Sequence, residues 1–176
     1  YNLKVYQSEW CMMSNGYEDC PNYANASYMD IALAMSKVIY HDLVTANASS
    51  WSFWTSCAQE EGRKSRYYLI RIIPSDGDSG DIVNSGTYVA SKNLWTLGNY
   101  SLFVRPGYQR IDLEINNQTN TFFGSAYISP SKDKLIAVYT NTKNKSIKVQ
   151  TDIEGLGKKV VSFKQYTTSS TKNLEE

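Results

Sequence analysis

The hydrophobic period changes near residue 107, and this change limits the folds open to the chain. Up to Phe103, short runs of strand-forming residues alternate with longer stretches whose apolar residues recur at helical spacing. From residue 109 the period falls to two, with Ile111, Leu113 and Ile115 alternating with Asp112 and Glu114. Strand–helix units followed by short alternating strands predict an α/β part and then a β part.

In the first part, residues 3–9 (LKVYQSE) read as a short buried strand. After a loop with Gly16 and Pro21, Ser27 and Asp30 offer a capping box for a helix over 28–45. Ile31, Met35, Val38, Ile39 and Leu43 form its apolar face. A second aromatic strand follows at 49–56, so strand, helix and parallel strand make a βαβ unit. A strand at 67–73, the turn-rich PSDGDSGD and a helix at 87–103 come next, closed by Arg105-Pro106-Gly107. The second part predicts strands at 109–115, 121–128, 134–141, 144–152 and 158–166 joined by polar turns, the pattern of a β-sandwich. The tail TTSSTKNLEE is polar and offers no closing strand.

The division is therefore 1–107 and 108–176. Two βα units cannot close an eight-stranded barrel, which takes about 250 residues. The chain is expected to hold the last two βα units of a (β/α)8 TIM barrel and part of a side β-sandwich. It opens on YNLKVYQSEW without an initiator Met or a leader, which predicts further chain upstream.

Bulk properties exclude several functions. Lys plus Arg number 18 against 17 Asp plus Glu, with no basic run, so no nucleic-acid partner is expected. No apolar stretch reaches the roughly 18 residues of a membrane span. One His (His41, inside the helical pattern) and three Cys without a CxxC pair argue against a metal site and a histidine-based triad. No cofactor is implied. Cys11 and Cys20 bracket a short polar loop and are candidates for a disulfide in an oxidising compartment. The five N-x-S/T triplets at Asn25, Asn47, Asn99, Asn117 and Asn144 are read as chance.

Aromatic residues make up 13% of the chain, with 14 Tyr and 4 Trp. Flat rings with a polar tip suit sugar stacking as well as core packing. In an α/β barrel, chemistry sits at the C-terminal ends of the strands. Glu9 stands at that place on the first strand, and Trp51 and Trp54 stand at or near it on the next. A carboxylate beside indole faces suits glycoside cleavage: the carboxylate attacks or stabilises the oxocarbenium-like centre, and the ring packs on the sugar. Glu60 and Glu61 read as solvated charges.

Three segments resemble glycoside hydrolase family 30, the glucosylceramidase, β-1,6-glucanase, β-1,6-galactanase and glucuronoxylanase group. VYQSEWCM at 5–12 is similar to the family's seventh-strand motif, and SWSFWTS at 50–56 to its eighth-strand W-x-x-W segment. SKNLWTLGNYSLFVRPGYQRIDLE at 91–114 is similar to its eighth helix and the linker into its side sandwich. The resemblance implies a retaining hydrolase of β-linked polysaccharide with Glu9 as nucleophile. It implies Trp51 at the sugar cleft, with Trp10 and Trp54 as further stacking candidates, and leaves Trp10 either shaping a subsite or packing and Trp54 open to a plain packing role. Arg63, Lys64, Arg66, Tyr67 and Tyr68 are candidates by residue type for contact with a glucuronoxylan, although a charged surface turn accounts for them better.

The family's acid/base, a Glu in an Asn-Glu-Pro type motif, has no counterpart in this sequence. The expected partners are therefore a polysaccharide and the N-terminal half of the barrel, and the 176 residues alone are expected to be inactive. The family likeness also implies a secreted, periplasmic or cell-surface protein. Two other readings are a non-catalytic carbohydrate-binding module and a degenerate barrel that binds glycans without cleaving them.

Overall fold

The computed structural model describes residues 3–12, 20, 23–59, 66–75, 85–157 and 159–176. Glu60, Glu61, Arg63, Lys64 and most of the PSDGDSGD turn lie outside the described residues. The architecture is a mixed α/β fold with two α-helices and three small sheets among the described residues.

Strands β1 (Val5–Trp10) and β2 (Ala48–Phe53) pair in parallel and are joined through helix α1 (Tyr28–Tyr40), as the sequence predicts. The capping box forms. Ser27 Oγ accepts the Asp30 N–H at 3.1 Å, and the Asp30 carboxylate accepts the Ser27 N–H at 3.2 Å, which satisfies two donors at the helix start. Ile31, Met35 and Ile39 recur every four residues and are at most 1% exposed. Burial of each contributes about 1.5–3 kcal/mol. The helical run does extend to residue 45, but its last turn is widened into a π-helical turn, His41–Thr45. Asn47, at φ 52°, ends it in the left-handed region that Asn tolerates. His41 is exposed beside Thr45, the surface role that its helical position predicts.

A second sheet has the order β3 (Cys57–Gln59), β4 (Ile70–Pro74), β5 (Gly86–Ala90), parallel and then antiparallel. Here the sequence reading needs correction. The helix expected over 87–103 begins only at Lys92, because 86–90 pair with β4 as a strand. Thr87, Tyr88 and Val89 are β-branched or aromatic and favour the pleated surface. Ser91 then caps α2 (Lys92–Ser101), accepting the Asn93 N–H at 3.2 Å.

The third sheet is an antiparallel meander of β6 (Gln109–Ile111), β7 (Phe122–Ile128) and β8 (Leu135–Asn141). The strand expected over 109–115 is shorter than predicted. Residues 144–152 and 159–166 form no strand among the described residues, although their apolar residues alternate. Ile147, Val149, Ile153, Val161 and Phe163 are exposed, so no described layer covers the face that alternation would bury. The polar tail does more than its composition suggests. Asn99 Nδ2 donates to Thr168 Oγ1 at 2.7 Å, Lys92 Nζ donates to Asn173 Oδ1 at 2.6 Å, and the Tyr166 ring lies 4.8 Å from that of Phe103. These contacts fasten the tail along α2.

One core cluster joins these parts. Ile31, Ala34, Met35 and Ile39 of α1 meet Trp10 of β1, Tyr67, Tyr68, Tyr100 of α2 and Val138 of β8. Ser36 and Thr140 share a buried 2.7 Å hydrogen bond between α1 and β8. Cys20 is buried in this cluster, Cys11 packs against it, and Cys57 is exposed. The structure has no disulfide between Cys11 and Cys20, the pairing that the sequence offers. No helix among the described residues is long and apolar enough to cross a membrane.

Gly124 of β7 pairs with Tyr139 of β8. A Cβ there would stand 2.8 Å from both Tyr139 Cδ1 and the Val138 backbone oxygen, and the latter cannot swing away. Gly124→Ala is expected to destabilise the protein by about 1–3 kcal/mol, read as a lower urea midpoint at unchanged slope.

Candidate active site

The two parallel strands end on the same side of their sheet, and the Trp54 N–H donates to the Trp10 oxygen at 2.9 Å. The residues after β2 are thereby fixed beside the end of β1, which brings Glu9 and Trp54 into one neighbourhood. The Trp54–Thr55 peptide is cis.

Which side chains share a face follows from the pairing. Paired residues point the same way, and successive residues of a strand point to opposite faces. Gln7 pairs with Trp51 and Trp10 pairs with Phe53. Trp51 and Phe53 are two apart and lie on the face toward α1, where both pack against the core cluster. Gln7 and Trp10 therefore also lie on that face, although they are three apart. β1 must hold one extra residue between them, a bulge at Ser8–Glu9. Strict alternation from Gln7 would place Glu9 beneath α1. The bulge sends Trp10 there instead, 8% exposed, and leaves Glu9 exposed on the other face.

The same alternation divides the tryptophans of the sequence reading. Trp51 and Phe53 are half-buried, whereas Ser50, Ser52 and Trp54 are exposed. The Trp10 ring centre lies 5.8 Å from that of Trp51 and 5.9 Å from that of Phe53. The Trp51 indole N–H donates to Asp42 Oδ2 at 2.8 Å, a carboxylate supplied by the π-helical turn. Trp10 and Trp51 thus form a packed aromatic layer against α1. Trp54, just past the end of β2, is 41% exposed, and its backbone is held to the end of β1 next to Glu9.

Asp42 and Gln7 escaped the sequence reading. A half-buried Trp needs a partner for its N–H, but nothing in the spacing singles out Asp42. Among the described residues no group of three His, Cys, Asp or Glu side chains is placed to hold a metal ion.

Comparison with known proteins bears on this open face. The chain resembles O-glycosyl hydrolase family 30. The model of that family matches residues 1–66, a stretch that includes β1, α1, β2, Glu9 and Trp54. The chain is 27% identical over 144 residues to the glucuronoxylanase XynC of Bacillus subtilis, covering 82% of this chain and 28% of the relative. A crystal structure of a conserved exported protein from Bacteroides fragilis superposes with a TM-score of 0.65 at 26% identity, over 82% of this chain and 29% of that one. The chain thus spans less than a third of either relative.

At the edge of the family 30 match, Arg66 is engaged internally. It donates to the Tyr23 and Ala26 backbone oxygens, and its guanidinium lies 5.0 Å from the Tyr28 ring centre. Tyr67 and Tyr68 are buried. These three candidates for substrate contact therefore hold the loop before α1 and the core.

The Cys11 thiol reports on Glu9. Its pKa is raised first by burial and then by the negative charge of Glu9. Glu9→Gln removes the second cause and brings the pKa back toward the ordinary thiol value. At a fixed neutral pH the thiolate fraction rises, so alkylation of Cys11 is expected to quicken, as followed by peptide mapping. An unchanged rate would mean that the carboxylate does not face this thiol.

Proposed function

We propose that this chain carries the nucleophile of a retaining glycoside hydrolase acting on a β-linked polysaccharide. The observation that supports this best is the exposed Glu9 at the end of β1, with the exposed Trp54 tied to that strand end through the Trp10 oxygen, within the stretch that matches family 30. In this reading β1, α1, β2 and the elements up to residue 107 are the last two βα units of a (β/α)8 barrel, and residues 108–176 contribute to a side β-sandwich. The rest of the barrel packs against β1, whose Val5 and Tyr6 are exposed apolar residues. The strand ends then point into the cleft, as in barrels generally.

The chemistry needs two carboxyl groups about 5–5.5 Å apart. Glu9 attacks the anomeric carbon while a second carboxylic acid protonates the departing glycosidic oxygen. That group then takes a proton from water, which attacks the glycosyl–Glu9 ester and releases the sugar with its configuration retained. The second carboxyl comes from the barrel half outside this chain, so the 176 residues alone are inactive. Trp54 packs on the C–H face of the sugar. Trp10 and Trp51 act from behind by keeping the strand ends in place. Glucuronoxylan is the first substrate to test, because the Bacillus subtilis relative is named for it. β-1,6-Galactan and β-1,6-glucan are the others. A polysaccharide substrate and the exported structural relative favour a secreted or cell-surface location.

The intact protein should hydrolyse at least one of these glycans with retention at the anomeric carbon, seen by NMR of the first product. Glu9→Gln should lower kcat at least roughly 10³-fold. Trp54→Ala should raise KM about fivefold, equivalent to the loss of ~1 kcal/mol of ring contact. Glycan binding without hydrolysis by the intact wild-type protein would overturn the enzymatic reading.

A further inference from the structure

We infer that Gln7 is a positioning residue that holds the Glu9 carboxylate on the open face, an inference that rests on the nucleophile role proposed for Glu9. A bulge takes a backbone donor out of the regular ladder and leaves the strand locally free to adopt another register. At this bulge the Glu9 N–H donates to the side-chain oxygen of Gln7 at 3.1 Å. Gln7 is itself half-buried and paired with Trp51, which Asp42 and the Trp10 ring hold in turn. A chain of contacts therefore runs from the packed layer under α1, through the Gln7 amide, to the backbone of the residue on the opposite face.

The alternative register shows why this bond matters. Without the extra residue, Glu9 replaces Trp10 on the face toward α1, and an ionised carboxylate enters an apolar layer. That arrangement is costly, so gross loss of the bulge is resisted by Trp10 alone. What Trp10 does not fix is the orientation of the Ser8–Glu9 peptide within the bulge. The Gln7 side chain sets it by accepting the Glu9 N–H, and with it the direction in which the Glu9 side chain leaves the strand. A displacement of about 1 Å at a reacting atom can cost roughly 10²-fold in rate.

The test compares variants of the intact protein on its polysaccharide substrate, with rates normalised to the folded fraction. Gln7→Leu keeps the size of the side chain and removes the acceptor. Gln7→Val, also without an acceptor and β-branched as strands favour, stands in if the Leu variant does not fold. The expected result is a kcat lowered roughly 10- to 100-fold in Gln7→Leu or Gln7→Val with a KM within about twofold of wild type. An unchanged kcat per folded molecule in the acceptor-less variants overturns the inference, as does a KM that rises in step with the loss of kcat. Glu9→Gln in the same assay separates the two layers of the argument. If it is as active as wild type, the nucleophile reading falls and the Gln7 role falls with it. If it is inactive while Gln7→Leu is fully active, only the Gln7 role is lost.

Discussion

The single extra residue between Gln7 and Trp10 decides what the N-terminal strand presents to each side. On the inner side it delivers Trp10 to a layer with Trp51 and Phe53, which α1 covers with Ile31, Met35 and Ile39. On the outer side it leaves Glu9 exposed at the strand end to which the Trp54 backbone is bonded. Two adjacent residues of one strand thus do opposite work. The bulk of an indole resists any slip that would exchange them, since a slip trades a buried aromatic for a buried charge. The open face depends on packing that lies entirely behind it.

That packing also explains the π-helical turn that follows α1. The widened turn at His41–Thr45 includes Asp42, whose carboxylate takes the Trp51 N–H at 2.8 Å. Turns of this kind are rare and recur near functional sites. Here the turn satisfies the one polar atom of an otherwise apolar ring, so Trp51 sits in the layer without an orphaned donor. The C-terminal tail reinforces the other helix in a different way. Its polar residues reach the Trp95 oxygen, Asn99 and Lys92 along α2, so the second helix is fastened by hydrogen bonds.

Much of this was legible in the sequence. Ser27 with Asp30, followed by apolar residues at helical spacing, identified α1 to within its widened last turn. Short runs between polar turns identify β7 and β8. The parallel pairing of β1 with β2 followed from the helix between them. Other features depend on contacts that a linear pattern does not contain. Residues 87–90 read as part of the helix that follows, because Val89 fits both periods and only the pairing with β4 decides between them. At 144–152 and 159–166 alternation was sufficient for a strand pattern, but a strand also needs a partner. For the tryptophans, the alternation of Trp51 and Phe53 against Ser50, Ser52 and Trp54 was visible. What was missing was which set faces the helix, because the bulge that fixes it leaves no mark in the sequence. Glu9 itself was located by its strand-end position and by resemblance. The reason it is exposed, and the bonds made by Gln7 and Asp42, come only from the pairing and the hydrogen bonds.

The central claim is that the Glu9 carboxylate is the atom group that bonds to the sugar. Incubation of the intact protein with a 2-deoxy-2-fluoro glycoside bearing a good leaving group slows hydrolysis of a glycosyl–enzyme ester enough to isolate it. Digestion and mass spectrometry then locate the added sugar. The account predicts a single modified peptide with the mass increment on Glu9. A stoichiometric ester on any other carboxylate, with the Glu9 peptide unmodified, would contradict it.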